Sequence, residues 1–348
     1  MKWRINFSIG AALAAVMVFT FGCKDTSSDP WSGSNSSNQA FMKVTEKSAS
    51  VNSFKPNYNE EQAMTLAGTL GKDLYPIKIG QQMKLTNQSL TLVKDSTTAT
   101  GTLVQKYDGT LIIVGSFQQP TIGINQHADT TIQKQFSTTI TRMVKFQRIA
   151  NTGNDTTDWK VAAVSLPNGG TDSSSVQITK ITLTAQDGST LVIDDPNAYF
   201  FNVGSDKESD NEGDDDNDYN EYHDGTTMAY GVNFGEHGHS WGKLLTWYKK
   251  NQHVKMSVEI LSTSSDPDFL TITYGAKNNG NFRTKKKFDL VSSTLQGSYY
   301  QKVYEINWNT HSDHGRKHAV INVMPRSVVY DTNTSVQERS WGIPYRVK

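Results

Sequence analysis

This sequence predicts a mainly β protein built as two β-rich modules, the first α+β. Three observations carry that expectation. Apolar and polar residues alternate in short runs, as Val254, Met256, Val258 and Ile260 do against Lys255, Ser257 and Glu259; turn pairs such as Asp187-Gly188 separate the runs; and one acidic stretch, residues 204–224, parts the chain. A length of 348 residues exceeds what one core usually organises, which favours two folded units. The predicted order is an export signal over 1–22, a flexible tether over 23–40, a middle module over 41–203, an acidic linker over 204–224 and a second module over 225–348.

The N-terminus opens with Lys2 and Arg4, followed by the apolar run 9–22, which is short for a bilayer span and reads as a removable signal. The chain's one cysteine, Cys23, stands where the apolar run gives way to polar residues. A lone Cys excludes an internal disulfide framework and a Cys-rich zinc site. Gly22-Cys23 at this junction resembles the lipobox of bacterial lipoproteins, with Thr20 and Phe21 where that family usually has a Leu and a small residue. The resemblance implies cleavage before Cys23 and a diacylated thiol, hence a lipidated N-terminus held in a membrane. Lys24, a residue other than Asp after the cysteine, implies the outer membrane or cell surface of the envelope. Residues 24–39 are Ser-, Asn-, Asp- and Gly-rich and suit a tether.

In the middle module a short helix is expected over Glu60–Leu70, where Glu60, Glu61 and Gln62 open an Ala, Met and Leu pattern. Asp108-Gly109 and Asp187-Gly188 are expected as tight hairpin turns, the first between Thr98–Tyr107 and Thr110–Phe117. Phe136, Ile140, Val144 and Phe146 share one face of a long strand that pairs antiparallel with Trp159–Leu166. This helix on an antiparallel sheet, ending in 142–149 and 158–165, resembles nuclear transport factor two-like cone domains; a plain sandwich is the alternative.

Charge is balanced overall, 34 basic against 34 acidic residues, which argues against nucleic-acid binding because phosphate neutralisation needs a net positive face. It is nevertheless segregated. Residues 204–224 hold one Lys against ten acids, whereas 225–348 hold 16 basic against nine acidic residues. An acidic strap therefore precedes a basic module, whose Lys285-Lys286-Lys287 and Arg316-Lys317 offer it opposite charge. The strap matches EF-hand positions at Asp210, Glu212, Asp214 and Glu221 but has Asp215 where the loop requires Gly, so a specific calcium site is not expected.

In the second module strands are expected at 254–260, 270–274, Phe282–Val291 after a turn at 278–281, Tyr299–Trp308, His318–Met324, Ser327–Tyr330 and 341–347, the last at a sheet edge because of Pro344. This series of short strands resembles an immunoglobulin-like or fibronectin type III-like β-sandwich in pattern.

Two constellations could carry chemistry. His237-Gly-His239 and His311, His314 and His318 have spacings that a metal ion could use, or are loop histidines with ordinary polar contacts. Trp247 and Tyr248, placed before a strand, could form an exposed glycan platform, against core packing as the alternative. Enzyme signatures are missing: there is no Gly-x-Ser-x-Gly elbow or His-Glu-x-x-His pair, and 68–73 departs from a phosphate loop at Asp73. The only histidine of the middle module is His127, beside Asp129. The expectation is a lipid-anchored lipoprotein with a non-catalytic binding or structural role and no cofactor. Its partners would be the membrane and an envelope protein or glycan; metal binding and glycan binding are the alternative activities.

Overall fold

A computed structural model describes residues 36–52, 64–65, 74–118, 127–203, 246–275 and 284–348, without the side chains of 36, 49, 64, 65, 246, 247 and 316. The chain begins with α1 (Ser36–Lys47) and α2 (Ala49–Asn52), then β1 (Met64–Thr65), β2 (Tyr75–Lys94), β3 (Thr98–Ser116) and β4 (Thr130–Arg148). Next come α3 (Asp155–Asp158), β5 (Trp159–Ser165), β6 (Asn168–Gly170), β7 (Val176–Ala185), β8 (Thr190–Ile193) and β9 (Phe200–Asn202). After residue 245 follow β10 (Thr246–Tyr248), β11 (His253–Ser262), β12 (Phe269–Tyr274), β13 (Thr284–Lys287), β14 (Asp289–Gln296), β15 (Tyr299–Asn309), β16 (Gly315–Met324), α4 (Arg326–Tyr330) and β17 (Arg339–Val347).

The fold is mainly β, as the alternation predicts. The larger sheet runs β1-β2-β3-β4-β6-β17-β16-β12-β13, with β5 on β4, β9 on β5 and β10 on β17. It curls into a half-barrel. The smaller sheet runs β14-β15-β11-β7-β8. Strands from both sides of the acidic stretch are paired in each: β6 joins β17 in the larger, and β7 joins β11 from Val176 to Ala185 in the smaller.

Alternation explains the burial. In β11, Val254, Met256, Val258 and Ile260 are fully buried, and in β4 Phe136, Ile140, Val144 and Phe146 point to the same covered side. Val144 and Phe146 share one core with these β11 residues, between the sheets, and it includes the apolar face of α1, where Phe41 meets Phe146 edge-on at 4.9 Å and Trp159 at 5.1 Å between ring centres. A second core gathers Leu74, Leu111, Ile113 and Phe269 around Val328 and Val329 of α4.

Several elements depart from expectation, each for a local reason. The helix lies at Ser36–Lys47, in part of the expected tether, and Met64 and Thr65 are instead strand, paired with Ile79 and Lys78. A sheet edge there outweighs a weak helical preference; the rest of 60–70 lies outside the described residues. Asp108-Gly109 is no turn: β3 runs through it, with Asp108 opposite Ser137 and Gly109 opposite Phe136. Asp187-Gly188 does turn, Gly188 at φ 83°. The expected strand Phe282–Val291 divides at buried Phe288, where β13 leaves the larger sheet and β14 enters the smaller. Ser327–Tyr330 is helical, because Pro325 has no N–H to extend a ladder and its carbonyl accepts from Val328 N. Lys134 then donates to the carbonyls of Val328, Asp331 and Thr334 at the helix end.

Strand β17 is interior, not an edge: β16 pairs along one side, while β6 covers Arg339–Trp341 and β10 covers Tyr345–Val347 on the other. Pro344 sits in the gap between those two neighbours, where its missing N–H costs no ladder bond. The turn at 278–281, the acidic strap and the phosphate-loop-like 68–73 lie outside the described residues.

Candidate functional site

The smaller sheet has an interrupted edge. β8 pairs with β7 only over Ile181–Thr184, although β7 begins at Val176. The interruption starts in the sequence: Asp194-Asp195-Pro196-Asn197 follows the apolar Leu191–Ile193, and Pro196 cannot donate to a ladder. Asp195 turns the chain by accepting from Asn197 N at 2.9 Å. The Pro196 and Tyr199 carbonyls then accept from Leu166 N, carrying the segment across to the larger sheet, where β9 pairs with β5. Opposite the gap, β7 is bulged at Thr179, since Glu259 faces Lys180 and Ile260 faces Ile178. The Thr179 hydroxyl donates to the Glu259 carbonyl at 3.1 Å and holds the bulge.

A cleft of about 590 Å³ opens there between the sheets. Val176, Ile178, Pro196 and Trp341 supply its apolar surface, and Asn168, Ser174, Gln177, Thr179, Asp194, Asn197 and Arg339 its polar groups. Asn168 Nδ2 donates to Asn197 Oδ1 at 2.9 Å, tying β6 to the crossover. β6 itself is wedged: a Cβ on Gly169 would fall 1.9 Å from the Thr139 carbonyl oxygen, so only glycine fits between β4 and β17.

Arg339 is fixed from behind. Its Nη1 donates to the Thr171 carbonyl at 2.7 Å, the Thr171 hydroxyl accepts from Glu338 N at 3.1 Å, and Gln337 Oε1 accepts from both Ser175 N and Ser175 Oγ. The loop between β6 and β7 is thereby laced to the start of β17. Behind it, buried Glu338 accepts from Gln81 Nε2 at 3.0 Å and Asn322 Nδ2 at 2.7 Å, joining β2 and β16 to the same segment. Burial holds the Glu338 carboxyl above the usual carboxylate range despite these donors and the nearby Lys285 charge.

Chemically, the cleft offers three carboxamides and two hydroxyls, which both donate and accept, together with one carboxylate and one guanidinium of opposite charge. Such groups can donate to and accept from the hydroxyls of a ligand. Its described lining has one carboxylate and no imidazole, too few ligands to hold a metal ion.

The residues singled out by spacing lie elsewhere. Cys23, His237 and His239 and the side chain of Trp247 fall outside the described residues. Tyr248 is buried, its ring edge-on to Trp308 and Tyr345, which turns it away from solvent. His311 sits in a turn, its Nδ1 accepting from Asp313 N at 3.0 Å; His314 is exposed; His318 is buried in β16 opposite Pro344. Among the described residues no group of three or more His, Cys, Asp or Glu side chains is placed to hold a metal ion. His127 and Asp129 are exposed, with Asp129 accepting from Ser116 Oγ at 2.7 Å, and neither lines the cleft. Also among the described residues, no helix is long and apolar enough to cross a membrane.

Spacing could not have found Asn168, Gln177, Asp194, Asn197 and Arg339, which are scattered over the sequence and meet only through the crossover. The one local signal was Asp194-Asp195-Pro196 directly after an apolar strand. No protein-family model matches this chain, and no curated protein matches it.

Proposed function

We propose that this chain is a lipid-anchored envelope lipoprotein with a non-catalytic binding role, taking its ligand in the cleft between β7, the Asp194–Asn197 crossover and the start of β17. The observation that supports binding is the cleft: its polar groups are ones that orient a ligand, and Arg339 and Asn168 are held in place by partners behind and beside them. The support for the anchor is the sequence around Cys23, where an apolar run behind Lys2 and Arg4 ends at the chain's one thiol.

Labelled palmitate fed to producing cells tests the anchor. The wild-type chain takes up label and fractionates with the envelope, and Cys23→Ala does neither. Equal labelling of the two, or a wild-type chain wholly in the soluble fraction, contradicts the lipoprotein reading.

A further inference from the structure

The geometry points to a neutral oligosaccharide as the ligand of this cleft, an inference that rests on the binding role proposed above. Three features of the lining select that chemistry.

The first is charge. Among the described lining residues Asp194 and Arg339 are the formally charged ones, and they are of opposite sign, so an anionic or cationic ligand gains no net attraction from them. The second is hydrogen-bond character. Carboxamides at Asn168, Gln177 and Asn197 present donors and acceptors side by side, matching ligand hydroxyls that also do both. Gln177 and Asp194 are exposed, whereas Asn168, Asn197 and Arg339 are half-buried, so the polar groups run from the mouth inward. The third is a small apolar floor, where the edges of the otherwise buried Val176, Ile178, Pro196 and Trp341 reach the cleft and a sugar's C–H groups can lie while its hydroxyls reach the amides.

An extended polypeptide is the competing occupant, because β8 leaves Val176–Lys180 of β7 uncovered. Strand addition needs a regular ladder, however, and this edge is bulged at Thr179 and ends at Lys180, both features that oppose edge-to-edge pairing. Side-chain chemistry therefore governs recognition here. The volume of about 590 Å³ is within the range of small-ligand sites.

Titration calorimetry of the full-length, detergent-solubilised chain against neutral gluco-, manno- and chito-oligosaccharides, and against extended peptides, tests the inference. At least one oligosaccharide is expected to bind, with Asn197→Ala and Gln177→Ala each weakening it by roughly tenfold. Gln177 is exposed, so its variant keeps the fold, and circular dichroism melting checks both. Three outcomes overturn the inference: no oligosaccharide binding tighter than about 1 mM, sugar binding that both variants leave unchanged, or peptide binding that the variants abolish. The last would assign the cleft to a polypeptide and leave the binding role intact. Loss of the anchor is read separately, by palmitate labelling.

Discussion

The ring of Phe136 lies across Gly109 on the neighbouring strand, so close that a β-carbon at 109 would stand 2.5 Å from its Cζ. The two residues are direct partners in the β3–β4 ladder, and Phe136 covers a backbone that has no side chain of its own. Gly109→Ala is therefore expected to destabilise the fold by about 1–3 kcal/mol through overpacking. Phe136→Leu in the same chain should recover part of that loss. Urea unfolding midpoints of the two single variants and the double variant check it; strictly additive effects would show that the residues do not interact.

Lys302 and Asp268 form an ion pair at 2.7 Å with both side chains fully buried. Lys302 also donates to the Asp266 carbonyl, and Asp268 accepts from Ser262 Oγ. Burial holds the Asp268 carboxyl above its ordinary range despite the ammonium beside it. Lys302→Met alone should cost about 3–5 kcal/mol by stranding the carboxylate, whereas Lys302→Met with Asp268→Leu should restore most of that. Chemical denaturation gives both values. A single variant as stable as wild type would mean that Asp268 reaches water or is protonated in the native state.

The reach of sequence reasoning can be judged from these elements. β11 was legible because Val254 to Ile260 are covered on one face only, leaving a clean period of two, and β7 with its Asp187-Gly188 turn was legible for the same reason. Asp108-Gly109 misled because the residues that suit a hairpin also suit a strand position beneath an aromatic ring, and nothing local distinguishes them. The split at Phe288 was hidden because both halves alternate alike and only the partner strands differ. The cleft was not legible at all: its groups come from β6, β7, the crossover and β17, and pairing of distant strands alone brings them together. Trp341 is buried on the apolar face of β17, yet it also lines the cleft, a double role that an apolar face does not disclose.

Tyr248 carries a buried hydroxyl with no hydrogen-bond partner among the described residues, inside a ring cluster with Trp308 and Tyr345. Burial raises its phenol well above the usual range, so the group stays neutral and its cost is that of an unpaired donor. Tyr248→Phe keeps the ring and removes that cost, and is expected to stabilise the fold by about 1 kcal/mol. Tyr248→Ala removes the ring and should cost about 3–5 kcal/mol. Thermal melts of both variants check the pair. A destabilised Tyr248→Phe would reveal a partner for the hydroxyl and restore it as a functional candidate.

Glu338 gives the segment that precedes the cleft a pH dependence whose sign is fixed by its surroundings. Because burial raises its pKa in the folded state, the carboxyl binds its proton more tightly there than in the unfolded chain. Its stabilising contribution is fully present below the unfolded pKa and is lost as pH rises through the raised folded value. Asp155 and Asp158 act oppositely. The first is held low chiefly by Lys94 and the second chiefly by hydrogen bonds from Thr152, so their contributions are present above the unfolded pKa and lost as pH falls. Glu338→Gln isolates the one term, since its amide oxygen can still accept from Gln81 and Asn322 while the titrating proton is gone. Stability measured for both chains between about pH 4 and about pH 8 should show wild type falling relative to Glu338→Gln as pH rises, with the other carboxylates cancelling in the difference. A difference that stays constant across that range would mean Glu338 titrates alike in the folded and unfolded chains, and its burial would then not govern its protonation.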